Sequence, residues 1–205
     1  MPRIRAATID EHKVLTRSAL LDAAKTLIHE AGTADLPLGE IALAAGVGRT
    51  TLYDYFTDRD DLIATLVEEE LPGVVDALIE EMPSGGSPPE RLADLATRTV
   101  EFVINDPVLG VILHREVGRM GAEAEVRIRA AHATLANTMV GLYHDGVASG
   151  DFRSMPPDLA GRLIQDSIMS AARTVLAAAR PEERVELVTL HLRLFLIGGF
   201  GVGPR

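Results

Sequence analysis

Five polar side chains that follow the segment Gly46-Val47-Gly48 have the types that proteins use to contact nucleic acids. An arginine can donate two hydrogen bonds to a guanine, and a threonine offers base edges both a hydroxyl and a methyl group. Tyrosine hydroxyls bond to phosphate oxygens. The five residues are Arg49, Thr50, Thr51, Tyr53 and Tyr55. They predict a DNA-contacting surface, provided that a helix presents them outward.

The helix that carries these residues is predicted over Arg49–Phe56. Leu52 and Phe56 are four residues apart, so they share one face of that helix and are expected to pack against other helices. Gly46 is expected to turn the chain, and Gly48 stands at the N-cap position. A helix-turn-helix has this form, and its second helix enters the major groove of DNA.

Two helices are predicted before this one. An amphipathic helix spans residues 17–31, with Thr16 as its N-cap and Gly32 at its end. The next helix begins at Pro37, where a fixed φ and a missing N–H are tolerated. Its inward residues are expected to be Ile41, Ala42 and Ala45. Small three-helix units of this kind also occur in proteins that do not bind DNA, so the spacing alone leaves both interpretations open.

Several short motifs in this region occur in a fixed order and spacing. They are Glu30-Ala31-Gly32, Ile41-Ala42, Ala45-Gly46-Val47, Thr51-Leu52-Tyr53, Tyr55-Phe56, and Arg59-Asp60 before Leu62. With these motifs, residues 17–62 resemble the N-terminal domain of tetracycline-repressor-type (TetR family) transcriptional regulators. The resemblance covers about a quarter of the chain.

The resemblance implies an all-helical homodimer whose two recognition helices bind a palindromic operator in double-stranded DNA, with a small-molecule effector adjusting the affinity. By position, Tyr53 would bond to phosphate, and so would Arg59, where the family usually has lysine. The residues that would face bases or nearby backbone are Arg49, Thr50, Thr51 and Tyr55.

Two positions depart from the family pattern. Pro37 stands where the second helix usually begins with Thr or Ser, and Gly48 replaces the usual serine before the recognition helix. Both changes remove hydroxyl contacts to phosphate. An arm containing Arg3 and Arg5 could compensate by entering a minor groove, although an inert tail is an equal alternative.

Because the chain is acidic overall, DNA binding would depend on the positions of a few basic side chains. Neutralisation of phosphates normally supplies much of the affinity. The formal net charge is −10, which disfavours nonspecific nucleic-acid binding by the whole chain. Residues 1–17 carry four basic and two acidic side chains, whereas residues 1–56 carry six basic and seven acidic ones.

The chain has no apolar signal core, no cysteine and no apolar run near the ~20 residues that span a bilayer. We expect a cytoplasmic protein without membrane association.

The rest of the chain predicts helices and no alternating strand pattern. Pro72 is expected to break or kink a helix, and residues 83–89 are expected to form a loop. The fold class is therefore all-α, with a three-helix helix-turn-helix domain and N-terminal arm over residues 1–62. A larger helical domain for effector binding and dimerisation covers residues 63–205. Its helices are expected at 59–70, 73–82, 89–105, 107–116, 122–148, 157–179 and 182–197.

The last two helices are expected to form the dimer surface. The final one is apolar nearly all round, so it must be buried on more than one side; a monomer core could also do this. The predicted helix 157–179 contributes Leu159, Leu163, Ser170, Ala171, Thr174 and Val175. The predicted helix 182–197 contributes Leu187, Leu190, His191, Leu194 and Ile197.

An effector pocket between helices could be lined by Phe102, Met139, Tyr143, Gln165 and Met169. Methionines and aromatic residues at helical spacing also form ordinary core, which is the alternative. With 4% aromatic residues and no tryptophan, the chain offers little for a flat polyaromatic ligand to stack on. We therefore expect a flexible or aliphatic effector, and His114 or Arg115 could bind it if it is acidic.

The densest polar cluster of the C-terminal half is His114, Arg115, Glu116 and Arg119. General acid–base catalysis could use such groups, but adjacent helix residues point in different directions, so His114 and Glu116 are not a ready pair. No metal-binding or nucleophile motif accompanies them. We expect no enzymatic activity, catalytic residue, metal or cofactor. The alternative to a DNA-binding regulator is a helical ligand-binding or protein-interaction module without specific DNA binding.

Overall fold

The computed structural model describes residues 6–202, without the side chains of residues 6–10, 107, 111, 114, 115 and 157. These residues are almost entirely helical, as predicted, and the one β-feature described is an isolated bridge between Phe152 and Gly201. The α-helices are α1 Ala6–Ala31, α2 Leu38–Ala44, α3 Arg49–Tyr53, α4 Arg59–Glu80, α5 Pro88–Asn105, α6 Pro107–Val111, α7 Ala122–Ala131, α8 Ala133–Ser149, α9 Pro157–Leu176 and α10 Pro181–Phe200. A π-helix, Ile112–Glu116, and a 3₁₀ helix, Val117–Arg119, follow α6.

The chain divides into two compact units. Unit 1 contains the residues up to Glu69 together with Pro107–Ile128, and unit 2 contains Glu70–Asp106 and the residues from Arg129 onward. The predicted boundary after residue 62 therefore differs from the division by packing, because the segment 107–128 packs with the N-terminal helices. The functions assigned to the two predicted domains stay a prediction.

Unit 1 is built around the helix-turn-helix. α1 packs against α2 and α6, and α2 packs against α3. The core between them consists of buried aliphatic and aromatic side chains, which remove apolar surface from water and hold the short α3 in place. They include Leu20, Ala24, Ile28, Ile41, Leu52, Phe56, Leu62, Leu66 and Ile112.

Unit 2 is a helical bundle in which α5 contacts α8, α9 and α10, and α9 also contacts α8 and α10. Its core includes Leu92, Leu95, Val100, Leu142, Ile164, Val175 and Leu196. Three aromatic rings close one part of it: Tyr143 lies 5.9 Å from Phe152 and 5.7 Å from Phe200 between ring centroids. The Tyr143 hydroxyl donates to the carbonyl of Arg153 at 3.0 Å and accepts from the N–H of Met155 at 2.9 Å.

The prediction for the start of α1 was wrong. The helix runs from Ala6 instead of residue 17, and Thr16 is not its N-cap. The Thr16 hydroxyl instead donates to the carbonyl of His12 at 2.8 Å, one turn earlier in the same helix. Residues 11–15 of the added turns are exposed, Val14 and Leu15 included, so they form no apolar stripe that the periodicity could reveal.

Of the two outcomes expected at Pro72, the break was wrong, because α4 runs without interruption through this residue, and the kink stays a prediction. A proline inside a helix removes one backbone hydrogen bond and crowds the preceding turn. Leu71 and Val75 beside it are both almost fully buried. Their burial offsets the local cost and keeps the helix intact.

Two further predicted helices are divided in the structure. The predicted helix 107–116 becomes α6 and the π-helix, and π-turns inside helical segments frequently mark functional sites. The predicted helix 122–148 becomes α7 and α8, separated by a turn at His132. Gly110 lies just before the first division, whereas the second has no proline or glycine at the break and so carries no conventional stop signal.

Candidate nucleic-acid interface

The turn before α3 has the predicted conformation. Gly46 has a φ of +70°, a region that residues with a side chain rarely adopt, and Gly48 is the extended N-cap of α3. Leu52 is fully buried and Phe56 is 2% exposed, which confirms that this face packs inward. The helix itself ends at Tyr53 instead of Phe56, and Asp54 and Tyr55 form a turn.

The five polar residues of this segment lie at the surface of unit 1. Arg49, Thr50 and Tyr53 are exposed, while Thr51 and Tyr55 are half-buried. A five-residue helix anchored by Leu52 thus presents its N-terminal end outward, as a groove-reading helix must. The arm residues Arg3 and Arg5 lie outside the described residues.

Arg49 and Tyr53 are paired on the outer side of α3. The Nη2 of Arg49 donates to the Tyr53 hydroxyl at 3.3 Å, and its guanidinium carbon lies 5.8 Å from the centroid of the Tyr53 ring. The hydrogen bond to Tyr53 raises the pKa of Arg49. Tyr53 can therefore hold the arginine side chain in a defined orientation.

Arg59, the predicted phosphate contact, is the first residue of α4 and is already paired with carboxylates. Its Nη1 bonds to Asp35 in the loop between α1 and α2. Its Nε and Nη2 donate to one oxygen of Asp60 at 3.3 and 3.2 Å. The other oxygen of Asp60 accepts from the N–H of Gly121 at 2.8 Å. This pairing could not be predicted from local patterns, because Asp35 lies 24 positions away from Arg59.

Arg127 of α7 also pairs with carboxylates in unit 1. The sequence did not predict this cluster. Arg127 donates to Asp61, Thr65 and Glu68, three residues on successive turns of α4. These carboxylates hold the pKa of Arg127 above its usual value. The cluster ties the segment 107–128 to the helix that begins beside the interface.

Glu116, a member of the polar cluster considered for catalysis, is buried in unit 1. One of its oxygens accepts a hydrogen bond of 3.3 Å from the hydroxyl of Thr33 in the loop before α2. The side chains of His114 and Arg115 lie outside the described residues. Glu116 thus has a structural partner, and no catalytic pair is visible among the side chains that the structure describes.

The residues predicted to line an effector pocket lie on α5, α8 and α9 of unit 2. Met139 and Tyr143 are buried, Phe102 and Met169 are half-buried, and Gln165 is exposed. The Tyr143 hydroxyl already bonds to the backbone of Arg153 and Met155, so it is not free to bind an effector. The pocket stays a prediction.

Successive turns of α9 and α10 leave large apolar side chains exposed. They are Leu159, Leu163, Leu187, Leu190, Leu194 and Phe195, each at least 38% exposed. Ala171, Val175, Leu192 and Leu196 are buried in unit 2. The predicted dimer stripe is thus only partly a surface, because Ala171 and Val175 belong to the core.

Among residues 6–202, no group of three His, Asp or Glu side chains could hold a metal ion. No helix in that range is long and apolar enough to cross a membrane.

Two family models match the chain in sequence. The model described as "Bacterial regulatory proteins, tetR family" matches residues 20–66, which contain α2, α3 and the start of α4. The model described as "Tetracyclin repressor-like, C-terminal domain" matches residues 85–173. The first match contains the surface that presents Arg49, and the second extends from α5 into α9.

Individual relatives extend over most of the chain. The "Fatty acid metabolism regulator protein" of Bacillus subtilis (strain 168) is 24% identical over 180 residues, 87% of this chain and 93% of that protein. The "HTH-type transcriptional repressor KstR2" of Rhodococcus jostii (strain RHA1) is 29% identical over 163 residues, 77% of this chain and 78% of that protein.

A solved structure shares the fold. The transcriptional regulator FadR from Bacillus subtilis, in complex with stearoyl-CoA, superposes with a TM-score of 0.75 at 22% identity, over 89% of this chain and 98% of that chain. The exposed recognition helix, the two matching family models and the shared fold lead to one conclusion. The chain belongs to the tetR family of bacterial regulatory proteins and is a DNA-binding transcriptional regulator.

Proposed function

We propose that the protein is a homodimeric repressor that binds a palindromic operator through two copies of α3 and leaves it when a small-molecule effector binds. The observation that carries this proposal is the outward N-terminal end of α3, with Arg49 and Thr50 exposed above the buried Leu52. Arg49 and Thr51 would read base edges, and Tyr53 and Arg59 would contact phosphate. A regulator of bacterial genes acts where the chromosome is, so we place the protein in the cytoplasm.

The exposed apolar residues of α9 and α10 support a second copy of the chain as the partner. Leu187, Leu190 and Leu194 recur at helical spacing along α10 and are 47–59% exposed. Such a stripe resembles a dimer interface more than an ordinary protein surface, where apolar residues occur singly. A symmetric contact of this stripe with its copy would bury it twice.

The effector we propose is a flexible, largely aliphatic molecule held between α5, α8 and α9. Phe102, Met139 and Met169 offer adaptable apolar contacts there. The relative from Bacillus subtilis is named for fatty acid metabolism, and the superposable FadR contains stearoyl-CoA. Both point to long acyl chains as the first molecules to test.

Effector binding would favour a dimer geometry in which the two α3 helices no longer match successive major grooves, which are spaced by ~34–36 Å. α4 contributes residues to both compact units, up to Glu69 in one and from Glu70 in the other. It is therefore the covalent route by which a change in one unit can reach Arg59.

Titrating the protein into labelled DNA from the flanks of its own coding region tests the proposal. Tight binding that weakens steeply with salt supports a regulator, because neutralised phosphates release counterions. Arg59→Ala should weaken binding to every sequence and flatten the salt dependence. Binding that is weak and equal for all DNA would favour the alternative, a helical ligand-binding or interaction module.

The effector is tested in the same assay by adding free fatty acids, acyl-CoA thioesters of increasing chain length and an aromatic control such as resorcinol. Release of the operator by long acyl chains and not by the aromatic compound supports the proposed class. Release by the aromatic compound alone would contradict it. Met139→Ala should shift the dose of an active acyl compound, since the pocket would lose an apolar contact.

A further inference from the structure

Arg59 would have to exchange partners before it could hold an operator phosphate. Its guanidinium donates to Asp35 through Nη1 and to Asp60 through Nε and Nη2. A carboxylate and a phosphate accept the same fork of donors. The two aspartates therefore occupy the hydrogen bonds that a phosphate would use.

Asp35 is held at this place by its own backbone. The N–H of Asp35 donates to the hydroxyl of Thr33 at 3.1 Å, and that hydroxyl lies 3.3 Å from a carboxylate oxygen of the buried Glu116. The Asp35 side chain is 77% exposed, whereas that of Arg59 is 28% exposed. Asp35 lies two residues before Pro37, the N-cap of α2. It thus adds a negative charge beside the helix end that should face the DNA backbone.

Asp60 differs from Asp35 in having a structural role. Its second oxygen accepts from the N–H of Gly121, so it fixes the start of α7 against α4. For the Asp35 carboxylate, by contrast, Arg59 is the partner that the described part of the chain shows. Removing the charge of Asp35 consequently weakens the hold on Nη1 of Arg59 without loosening α7, while Asp60 keeps its contacts with Nε and Nη2.

We propose that Asp35 is an internal substitute for phosphate, which occupies Arg59 in the free protein and lowers the affinity for the operator. This inference rests on the proposed function. Binding exchanges the Asp35 carboxylate for a DNA phosphate, and salt screens the contact that is lost as well as the one that is gained. The exchange therefore adds less to the salt dependence than the contact of an unpaired arginine would.

The test compares Asp35→Asn with Asp54→Asn, each in the wild-type and in the Arg59→Gln background. Asp54 is exposed in the turn after α3, and the described residues show no ion pair for it. The control thus removes the same charge near the same DNA. Affinities are measured by fluorescence anisotropy with one operator at several salt concentrations.

Asp35→Asn should tighten binding about threefold to fivefold, the range expected for an exposed ion pair, and should steepen the salt dependence. In the Arg59→Gln background the same substitution should change affinity less than about twofold. Asp54→Asn should have equal effects in both backgrounds. A double-mutant cycle of this kind isolates the Asp35–Arg59 interaction from general charge.

Three outcomes overturn the inference. Equal tightening by Asp35→Asn in both backgrounds would mean that Asp35 acts only through its charge. Weaker binding by Asp35→Asn would mean that it orients Arg59 for the phosphate. Absence of specific binding by all the proteins would remove the proposed function and this inference together, whereas wild-type binding without the coupling removes the inference alone.

Discussion

Arg127 of α7 and Glu68 of α4 form a bidentate ion pair within unit 1. Nε of Arg127 lies 3.0 Å from one carboxylate oxygen of Glu68, and Nη2 lies 2.6 Å from the other. The same guanidinium donates to Asp61 at 2.6 Å and to Thr65 at 2.8 Å. A planar guanidinium suits such a fork, which a lysine could not reproduce. One side chain thus fixes α7 to three turns of α4.

Arg127→Met should destabilise the protein by about 1–3 kcal/mol, because Asp61 and Glu68 lose their partner while partly buried. The expected readout is a lower midpoint in urea unfolding. Arg162→Met is the matched control, since Arg162 pairs with Asp158 one turn away on α9 and both side chains are about 70% exposed. Such a pair contributes about 0–1 kcal/mol. Equal losses in the two variants would show that the Arg127 cluster is an ordinary surface contact.

The stability of the protein should fall in acid through the same cluster. The hydrogen bond from Arg127 lowers the pKa of Glu68. Burial raises the pKa of Asp61, but hydrogen bonds from Thr57 and Arg127 outweigh it, so the net direction is also downward. Groups with lowered pKa values stabilise the folded state above their unfolded values, near pH 4, and this contribution disappears as the pH falls through the folded values.

Urea midpoints measured between pH 7 and pH 3 check this dependence. Glu68→Gln should reduce the midpoint at pH 7 and flatten its decline below about pH 5. Glu123→Gln, on the exposed side of α7, should keep the wild-type slope. A Glu68→Gln protein with the full wild-type decline would show that other carboxylates cause it.

Two glycines of α8 should respond oppositely to alanine. A Cβ at Gly146 would lie 2.3 Å from Cδ2 of Phe152, a ring stacked in the core of unit 2, whereas a Cβ at Gly141 meets no atom within 4 Å. Gly146→Ala should cost about 1–3 kcal/mol, and Gly141→Ala should stabilise the helix by about 0.5–1 kcal/mol. Thermal unfolding of both variants measures the difference. A stable Gly146→Ala protein would mean that Phe152 packs elsewhere.

Leu194→Glu should weaken dimerisation at least tenfold, or about 1.4 kcal/mol. Leu194 is 59% exposed on α10, and a symmetric interface would bury the new carboxylate twice without a partner. Sedimentation equilibrium gives the dissociation constant. Val126→Glu adds the same charge at a residue that is 64% exposed on α7 and should leave it unchanged. If Leu194→Glu leaves the dissociation constant of the dimer unchanged, the interface does not include this face of α10.

The recognition helix could be predicted from the sequence because its determinants are local. Gly46 and Gly48 bracket the turn, and the spacing of Leu52 and Phe56 already defines which side of α3 faces inward. All of these signals lie within residues 46–56. Packing with distant elements did not alter them, so the outward placement of Arg49 followed correctly.

The ion pairs could not be predicted because their partners are far apart in the chain. Arg127 meets residues that lie 59–66 positions earlier, and neither α7 nor α4 carries a local signal for the contact. The extension of α1 was missed for another reason. Residues 11–15 are all exposed, and periodicity detects burial more than helix propensity.

Selection of bound sequences from random DNA tests the central claim most directly, namely that α3 in two symmetric copies reads base edges. The wild-type protein should enrich a palindrome whose half-sites are centred about one helical turn apart. Arg49→Ala should still enrich it, with about 1–3 kcal/mol less affinity and relaxed preference at one position in each half-site. Enrichment of no sequence by the wild type, or an identical preference at every position in Arg49→Ala, would contradict the account.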